Sequence, residues 1–160
     1  MGQVGVRAAS PLTLLREHVS AVRSLLAGGT VTVAGRYVHL DAVALDWSPE
    51  VVPALLVGAR GPQTVVASAE VGDGTILDAS ATVDDIVRVR ATVDAARAAA
   101  GRTGHHRLVV FQEVPSAGQT PDAVAALVAR CATAGADAVA LQGPDDDPDP
   151  ARLLAALARR

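Results

Sequence analysis

From residue 53 onward the chain alternates four times between a short apolar run and a helical pattern, and that alternation leaves few folds open. The runs are Pro53–Val57, Thr75–Leu77, Leu108–Phe111 and Ala138–Leu141. A helix is expected after the first from Pro62, and after the second from about Thr82 to Ala100, with Ile86, Val89, Val93 and Ala96 on one stripe. Thr120-Pro121 reads as the cap of the third helix and Asp149-Pro150 as the cap of the fourth. Short apolar strands between helices pair in parallel through right-handed crossovers. Four such units are half the number that closes a (β/α)8 barrel. The expected fold class is α/β: a partial (half) TIM barrel of about four parallel βα units. A sheet curved in this way leaves two unpaired edges and an open inner face, which something must cover.

The residues before the alternation read differently. Ser10-Pro11 marks a helix start, and Leu12, Leu15, Val19, Val22 and Leu26 recur at three- and four-residue steps up to Gly28-Gly29. The period then switches to two. Thr30–Val33, a turn at Ala34-Gly35 and Arg36–Leu40 read as a β-hairpin. Asp41 to Val52 is a connection that contains the only tryptophan, Trp47. At 160 residues, a single domain over 1–160 is expected. Half the residues are hydrophobic but only 2% are aromatic, so the core must be built from Val, Leu and Ala.

The net charge of −3 argues against a general nucleic-acid binder. All 14 basic residues are Arg, which excludes a lysine Schiff base or a P-loop lysine. Cys131 is the only cysteine and follows Val124, Leu127 and Val128 at helical spacing, so it reads as a buried small hydrophobe. No charged stretch followed by an apolar one is seen over the first residues, and no apolar run reaches the ~18 residues of a membrane span. A soluble, cytoplasmic protein with no membrane partner is the expectation.

Gly58-Ala59-Arg60-Gly61-Pro62-Gln63 is the candidate binding segment. It joins the first apolar run to its helix. Small residues at 58, 59 and 61 let a ligand approach the backbone closely. Pro62 suits the first helical position, and the helix N-terminus behind it favours an anion such as phosphate. Short glycine loops are common in α/β folds, so the local pattern also allows an ordinary connection with no ligand. Arg60 offers a bidentate contact to phosphate, or is a plain surface arginine.

Asp78, Glu113 and Gln142 each fall at or just past the end of a strand, where a barrel places its active-site mouth. Asp78 suits a ligand hydroxyl, Glu113 a base, and Gln142 a ring edge, yet no two of them form a recognisable acid–base motif. His105-His106 precedes the third strand, on the stability side of a barrel, and reads as a pair of solvated loop residues. His18 reads as a boundary residue. His39 alternates within the hairpin and could reach a partner chain or a ligand, with nothing local to activate it. Asp145-Asp146-Asp147 reads as a solvated loop feeding the cap at Asp149 rather than a calcium loop. No nucleophile elbow, CxxC pair, HExxH helix or Walker loop occurs, so no metal is expected and the catalytic residues stay unassigned.

The ordered segments resemble a known family. Ser10-Pro11-Leu12-Thr13-Leu14-Leu15-Arg16-Glu17 with Leu25–Gly29, the hairpin Val33–Val38, and Gly58–Pro62 followed by Ala69–Gly74 are similar to motifs of luciferase-like monooxygenases. The branch most resembled is the oxidoreductases of the deazaflavin coenzyme F420, related to methylene-tetrahydromethanopterin reductase. The resemblance is good to about residue 115 and looser beyond. It implies a hydride-transferring or oxygen-activating enzyme of full (β/α)8 architecture, with F420 or FMN at the C-terminal mouth and Gly58, Ala59, Arg60, Gly61, Pro62 and Gln63 on the cofactor's phosphate side. Gln63 departs from the Lys or Arg often found there and removes a positive charge. Met1–Gly5 resembles an internal loop of the family, so the chain resembles the C-terminal half of a barrel. That implies completion by a second copy, as a homodimer, or by a separate N-terminal half-barrel chain, before a small-molecule substrate is handled. The alternative is a non-catalytic cofactor-binding or interaction module derived from that family.

Overall fold

The structure is a computed structural model that describes residues 8–115, 120–146, 150, 151 and 154. In chain order the elements are α1 (Pro11–Leu26), β1 (Val31–Ala34), β2 (His39–Val43), β3 (Leu56–Gly58), α2 (Pro62–Val71), β4 (Gly74–Leu77), α3 (Val83–Ala99), β5 (Arg107–Glu113), α4 (Pro121–Thr133) and β6 (Ala138–Gln142). β3, β4, β5 and β6 form one parallel sheet in sequence order, and β1 and β2 form a separate antiparallel pair. The α/β architecture with four parallel strands is therefore the one the alternation implied. Of the helix expected after Asp149-Pro150, Pro150, Ala151 and Leu154 are described, with Ala151 and Leu154 helical and the Leu154 N–H donating to the Pro150 carbonyl at 2.8 Å, while Asp149, Asp147 and the segment Met1–Gly5 lie outside the described residues.

Alternation along each strand sorts the side chains between two faces. Val57, Thr75, Leu77, Leu108 and Val110 are buried against the helices. Leu77, Ile86, Leu108, Val110, Cys131 and Ala134 form one core cluster. Ala59, Val65, Ala69 and Val93 form a second, between α2 and α3. Cys131 is thus the buried small residue its spacing implied, and burial pushes its thiol pKa up. The alternate row, Leu56, Ile76, Val109 and Phe111, faces the other way and is less covered.

The local sequence explains the helix ends. Thr82 and Asp85 make a reciprocal capping box at α3. Thr120 accepts from the Ala123 N–H at 3.2 Å, and Pro121 opens α4. Outside the sheet, α1 is fastened to α2 by the Arg16–Glu70 ion pair at 2.6 Å and by Arg23, which donates to the Val71 carbonyl at 3.0 Å.

Three expectations shift, the first being β2, which runs over His39–Val43 into the segment expected as a connection rather than over Arg36–Leu40. The hairpin turn spans Gly35–Val38 rather than Ala34-Gly35, because the Glu17 carboxylate on α1 accepts the N–H groups of Arg36, Tyr37 and Val38 at 2.9, 2.8 and 3.0 Å. Those donors are diverted from the strand ladder. A Cβ at Gly35 would meet the Glu17 carboxylate at 2.5 Å and displace it from these donors. The first parallel strand begins at Leu56 rather than Pro53. Pro53 has no N–H to give, and the Leu55 N–H is taken by the Asp73 carboxylate at 2.9 Å.

Candidate functional site

The ends of β3, β4, β5 and β6 open into one cleft of about 770 Å³. Gly58, Ala59 and Arg60 line it from the first strand, Ile76, Asp78 and Ser80 from the second, Phe111 and Glu113 from the third, and Gln142 and Asp145 from the last region. Parallel register brings these residues to one level. Gly58 stands opposite Ile76, Ile76 opposite Val109, and Glu113 opposite Gln142. Arg60, Asp78, Glu113 and Gln142, four residues singled out separately along the sequence, therefore share one mouth.

The glycines are informative by what surrounds them. A Cβ built on Gly58 or Gly61 meets nothing within 4 Å. Neither residue has a left-handed backbone conformation, and Gly61 is extended at φ −90°, ψ 155°. Internal packing and backbone geometry do not demand glycine at these two positions. The space over them is open to a ligand. Pro62 occupies the first turn of α2, whose N-cap Gly61 offers no side-chain cap. Pro62 and Gln63 line a separate shallow groove with Leu12, Arg16 and Val66, on the α1 side. Gly58, Ala59 and Arg60 thus line the cleft and Pro62 and Gln63 the groove, with Gly61 between them lining neither.

Arg60 and Asp78 form an ion pair across the adjacent strand ends. The second Asp78 oxygen accepts the Ser80 N–H at 3.0 Å and the Ser80 hydroxyl. The Arg60 hydrogen bond and the Ser80 donors lower the Asp78 pKa to about 2, so it is a carboxylate at any ordinary pH. The pairing of Arg60 with Asp78 was absent from the sequence reading. Its signal lay in the strand ends: each residue is two beyond a registered partner, Gly58 and Ile76. Asp145, read as a solvated loop residue, is exposed and lines the cleft. His39 and His18 are exposed and lie away from the cleft lining. Among the described residues, no group of three or more His, Cys, Asp or Glu is placed to hold a metal ion. Nor is any helix among them long and apolar enough to cross a membrane.

The histidine pair needs correction. His105 is exposed and contacts Asp137 at 2.7 Å, but His106 is 2% exposed. As adjacent strand-side residues they point opposite ways. The His106 ring lies in a buried polar chain beneath the sheet. Its Nδ1 faces the Arg97 guanidinium at 3.5 Å and its Nε2 lies 2.9 Å from the Thr75 hydroxyl, which lies 2.6 Å from Ser68 Oγ. Ser68 donates onward to the Val65 carbonyl at 2.8 Å. Arginine can only donate, so Nδ1 accepts and Nε2 carries the proton. Burial, then Arg97, Arg90 and Arg102, push the imidazole pKa down to about 4. His106 is a neutral structural relay, absent from the mouth.

Comparison with known proteins places this geometry. A sequence profile of the family described as luciferase-like monooxygenase matches residues 1–160. The chain is 32% identical over 101 residues to 5,10-methylenetetrahydromethanopterin reductase of Archaeoglobus fulgidus, covering 63% of this chain and 30% of that protein. It is 32% identical over 87 residues to the enzyme of the same name from Methanolobus tindarius, covering 54% and 26%. Among solved structures it resembles an F420-dependent secondary alcohol dehydrogenase in complex with an F420-acetone adduct, with a TM-score of 0.74 at 15% identity, covering 87% of this chain and 58% of that one. It also resembles the coenzyme F420 dependent tetrahydromethanopterin reductase from Methanopyrus kandleri, with a TM-score of 0.65 at 16% identity, covering 87% and 59%. The chain therefore spans less than a third of the matched curated relatives and under two thirds of these structures. At such identity the structural likeness establishes the fold, a mixed α/β arrangement consistent with part of a (β/α)8 barrel.

Proposed function

Because the chain belongs to the luciferase-like monooxygenase family, we propose that its cleft takes a deazaflavin of the F420 type and forms part of an oxidoreductase acting on a small molecule. One observation carries the reading. At the C-terminal edge of the parallel sheet, Gly58 lines the cleft, and a Cβ at Gly58 or at Gly61 would meet nothing within 4 Å, so packing does not demand glycine at either position. Active sites of (β/α) barrels are built at this edge. The F420-dependent relatives named above favour the deazaflavin over FMN.

The residues present fit such a group. Gly58 and Gly61 allow backbone approach by its phosphate-bearing chain, and Arg60 is the cation at that end. When bound, the deazaflavin supplies the two-electron redox chemistry that side chains lack. Asp78, held as an anion, accepts from a ligand hydroxyl. Glu113 and Gln142, side by side at the far end, accept and donate at a ring edge or a substrate. Pro62 and Gln63 enter this reading as the first turn of the helix behind the phosphate.

The cleft is one wall of a pocket. Leu56, Ile76, Val109 and Phe111 present an apolar row away from the helices, and parallel sheets are buried on both faces. We assign the missing wall to further parallel strands, carried by a second copy of this chain or by an N-terminal half-barrel, with residues 1–160 acting as the C-terminal unit.

Titration with F420 and with FMN, followed by fluorescence and calorimetry, tests the reading. Saturable binding of F420, tighter than FMN, is expected. Absence of binding to either by an assembled, folded protein overturns it. Binding without substrate-dependent bleaching of the reduced cofactor would select the non-catalytic module instead. Light scattering that finds a stable monomer competent to bind F420 would remove the need for a second wall.

A further inference from the structure

We propose that Asp78 is a specificity-determining gate on Arg60: it holds the guanidinium in the absence of ligand and yields it to an anionic group that enters over Gly58 and Gly61. This deepens the cofactor reading above and rests on it.

Four observations carry the inference. The first is register. Gly58 pairs with Ile76, so Arg60 and Asp78, each two residues on, are brought together by the parallel ladder.

The second is unequal restraint. Asp78 is fixed by two donors of Ser80, whereas the Arg60 side chain is 79% exposed with Asp78 as its partner. When the pair opens, the arginine is the member that moves.

The third is position. Ala59, Arg60, Asp78 and Ser80 line both the large cleft and a smaller recess of about 100 Å³ that reaches Asp85 and Val89 on α3. The ion pair stands at the boundary between the two spaces.

The fourth is charge. Among the described residues lining the cleft, Arg60 is the cation, against the carboxylates of Asp78, Glu113 and Asp145. An anion that enters while Asp78 holds Arg60 meets a guanidinium whose charge is already countered, with three carboxylates around the cleft. A phosphate-bearing ligand replaces the broken pair with a new one, while a neutral ligand breaks it for no return. The gate therefore selects for anionic ligands at the β3 end.

The experiment uses the full chain and its Asp78→Asn, Arg60→Gln and doubly substituted forms. Asparagine keeps an acceptor for Ser80. Inorganic phosphate is titrated while the Arg60 Nε–H resonance (in the forms that retain Arg60) and neighbouring backbone amides are followed by NMR. F420 is titrated separately by fluorescence. Asp78→Asn alone is expected to tighten phosphate about two- to fivefold, the range of an exposed ion pair. In the Arg60→Gln background the same substitution is expected to do nothing. Equal tightening in both backgrounds overturns the gate, because it reports simple repulsion by the carboxylate. No tightening, or no phosphate binding in any form, also overturns it. The expected phosphate pattern without F420 binding in any form would overturn the cofactor reading and leave the gate standing.

Discussion

Asp137 does for β6 what Asp73 does for β4. Each stands immediately before its strand and accepts a backbone N–H from the neighbouring strand's entry, Leu108 at 2.7 Å and Leu55 at 2.9 Å. Each also returns its own N–H to the carbonyl of that same residue at 2.8 Å. Each is completed by arginine from a helix, Arg90 at 2.8 Å and Arg23 at 2.9 Å. The aspartate at the end of the return turn thus fixes strand register at the edge of the sheet opposite the cleft.

Replacing Asp137 by Ala removes a charge-assisted acceptor and leaves Arg90 without its anion. A loss of about 2 kcal/mol is expected, the usual size for a hydrogen bond to a charged group. Chemical denaturation at pH 7 checks it. Asp73→Ala is expected to fall in the same range, and an unchanged midpoint in both would disprove the shared role.

The same two groups set an acid limit. Burial pushes both carboxyls up, but the backbone N–H and arginine partners outweigh it and hold each below the usual range. The unfolded chain then binds more protons than the folded one as pH falls. Their contribution is complete above about pH 4 and lost as pH drops through the folded values. In Asp73→Asn, the denaturation midpoint should depend less on pH below 4 than in the parent.

His106 acts at higher pH. Its folded pKa of about 4 lies below the 6.5 of a free imidazole. The neutral ring stabilises the fold fully above pH 6.5, and stability falls as pH drops from there toward 4, by up to about 3 kcal/mol. A His106→Gln variant is expected to be less stable at pH 7 and to lose most of the slope between pH 6.5 and 4. A retained slope would move the effect elsewhere.

Glu17 holds the hairpin by three N–H groups. Glu17→Ala is expected to raise amide exchange at Arg36, Tyr37 and Val38 by roughly tenfold or more, while β4 and β5 keep their protection. Equal loosening of the sheet would show that the hairpin and sheet unfold together.

Gly58→Ala separates packing from binding. Its Cβ meets no protein atom within 4 Å, so stability should stay the same or rise slightly. Affinity for F420 should fall, because the added methyl enters the space assigned to the ligand. Tighter or unchanged binding would place the ligand elsewhere.

The residue pattern alone determined the element order, the parallel pairing and the location of the glycine loop. Apolar runs of three to five residues between helices admit one kind of sheet, and Thr120-Pro121 sets its helix start by local chemistry, whereas Ser10 makes no side-chain cap and gives its N–H to the Tyr37 hydroxyl at 2.7 Å. Tertiary structure decided what local pattern cannot encode: that Glu17 takes the hairpin's donors from twenty residues away, that His106 is buried beside Arg97 while His105 is not, and that Arg60 spends its charge on Asp78. Each depends on which strand lies beside which and at what register. Those distances arise only when the chain closes on itself, because hydrogen bonds and ion pairs follow proximity in space and not separation in sequence.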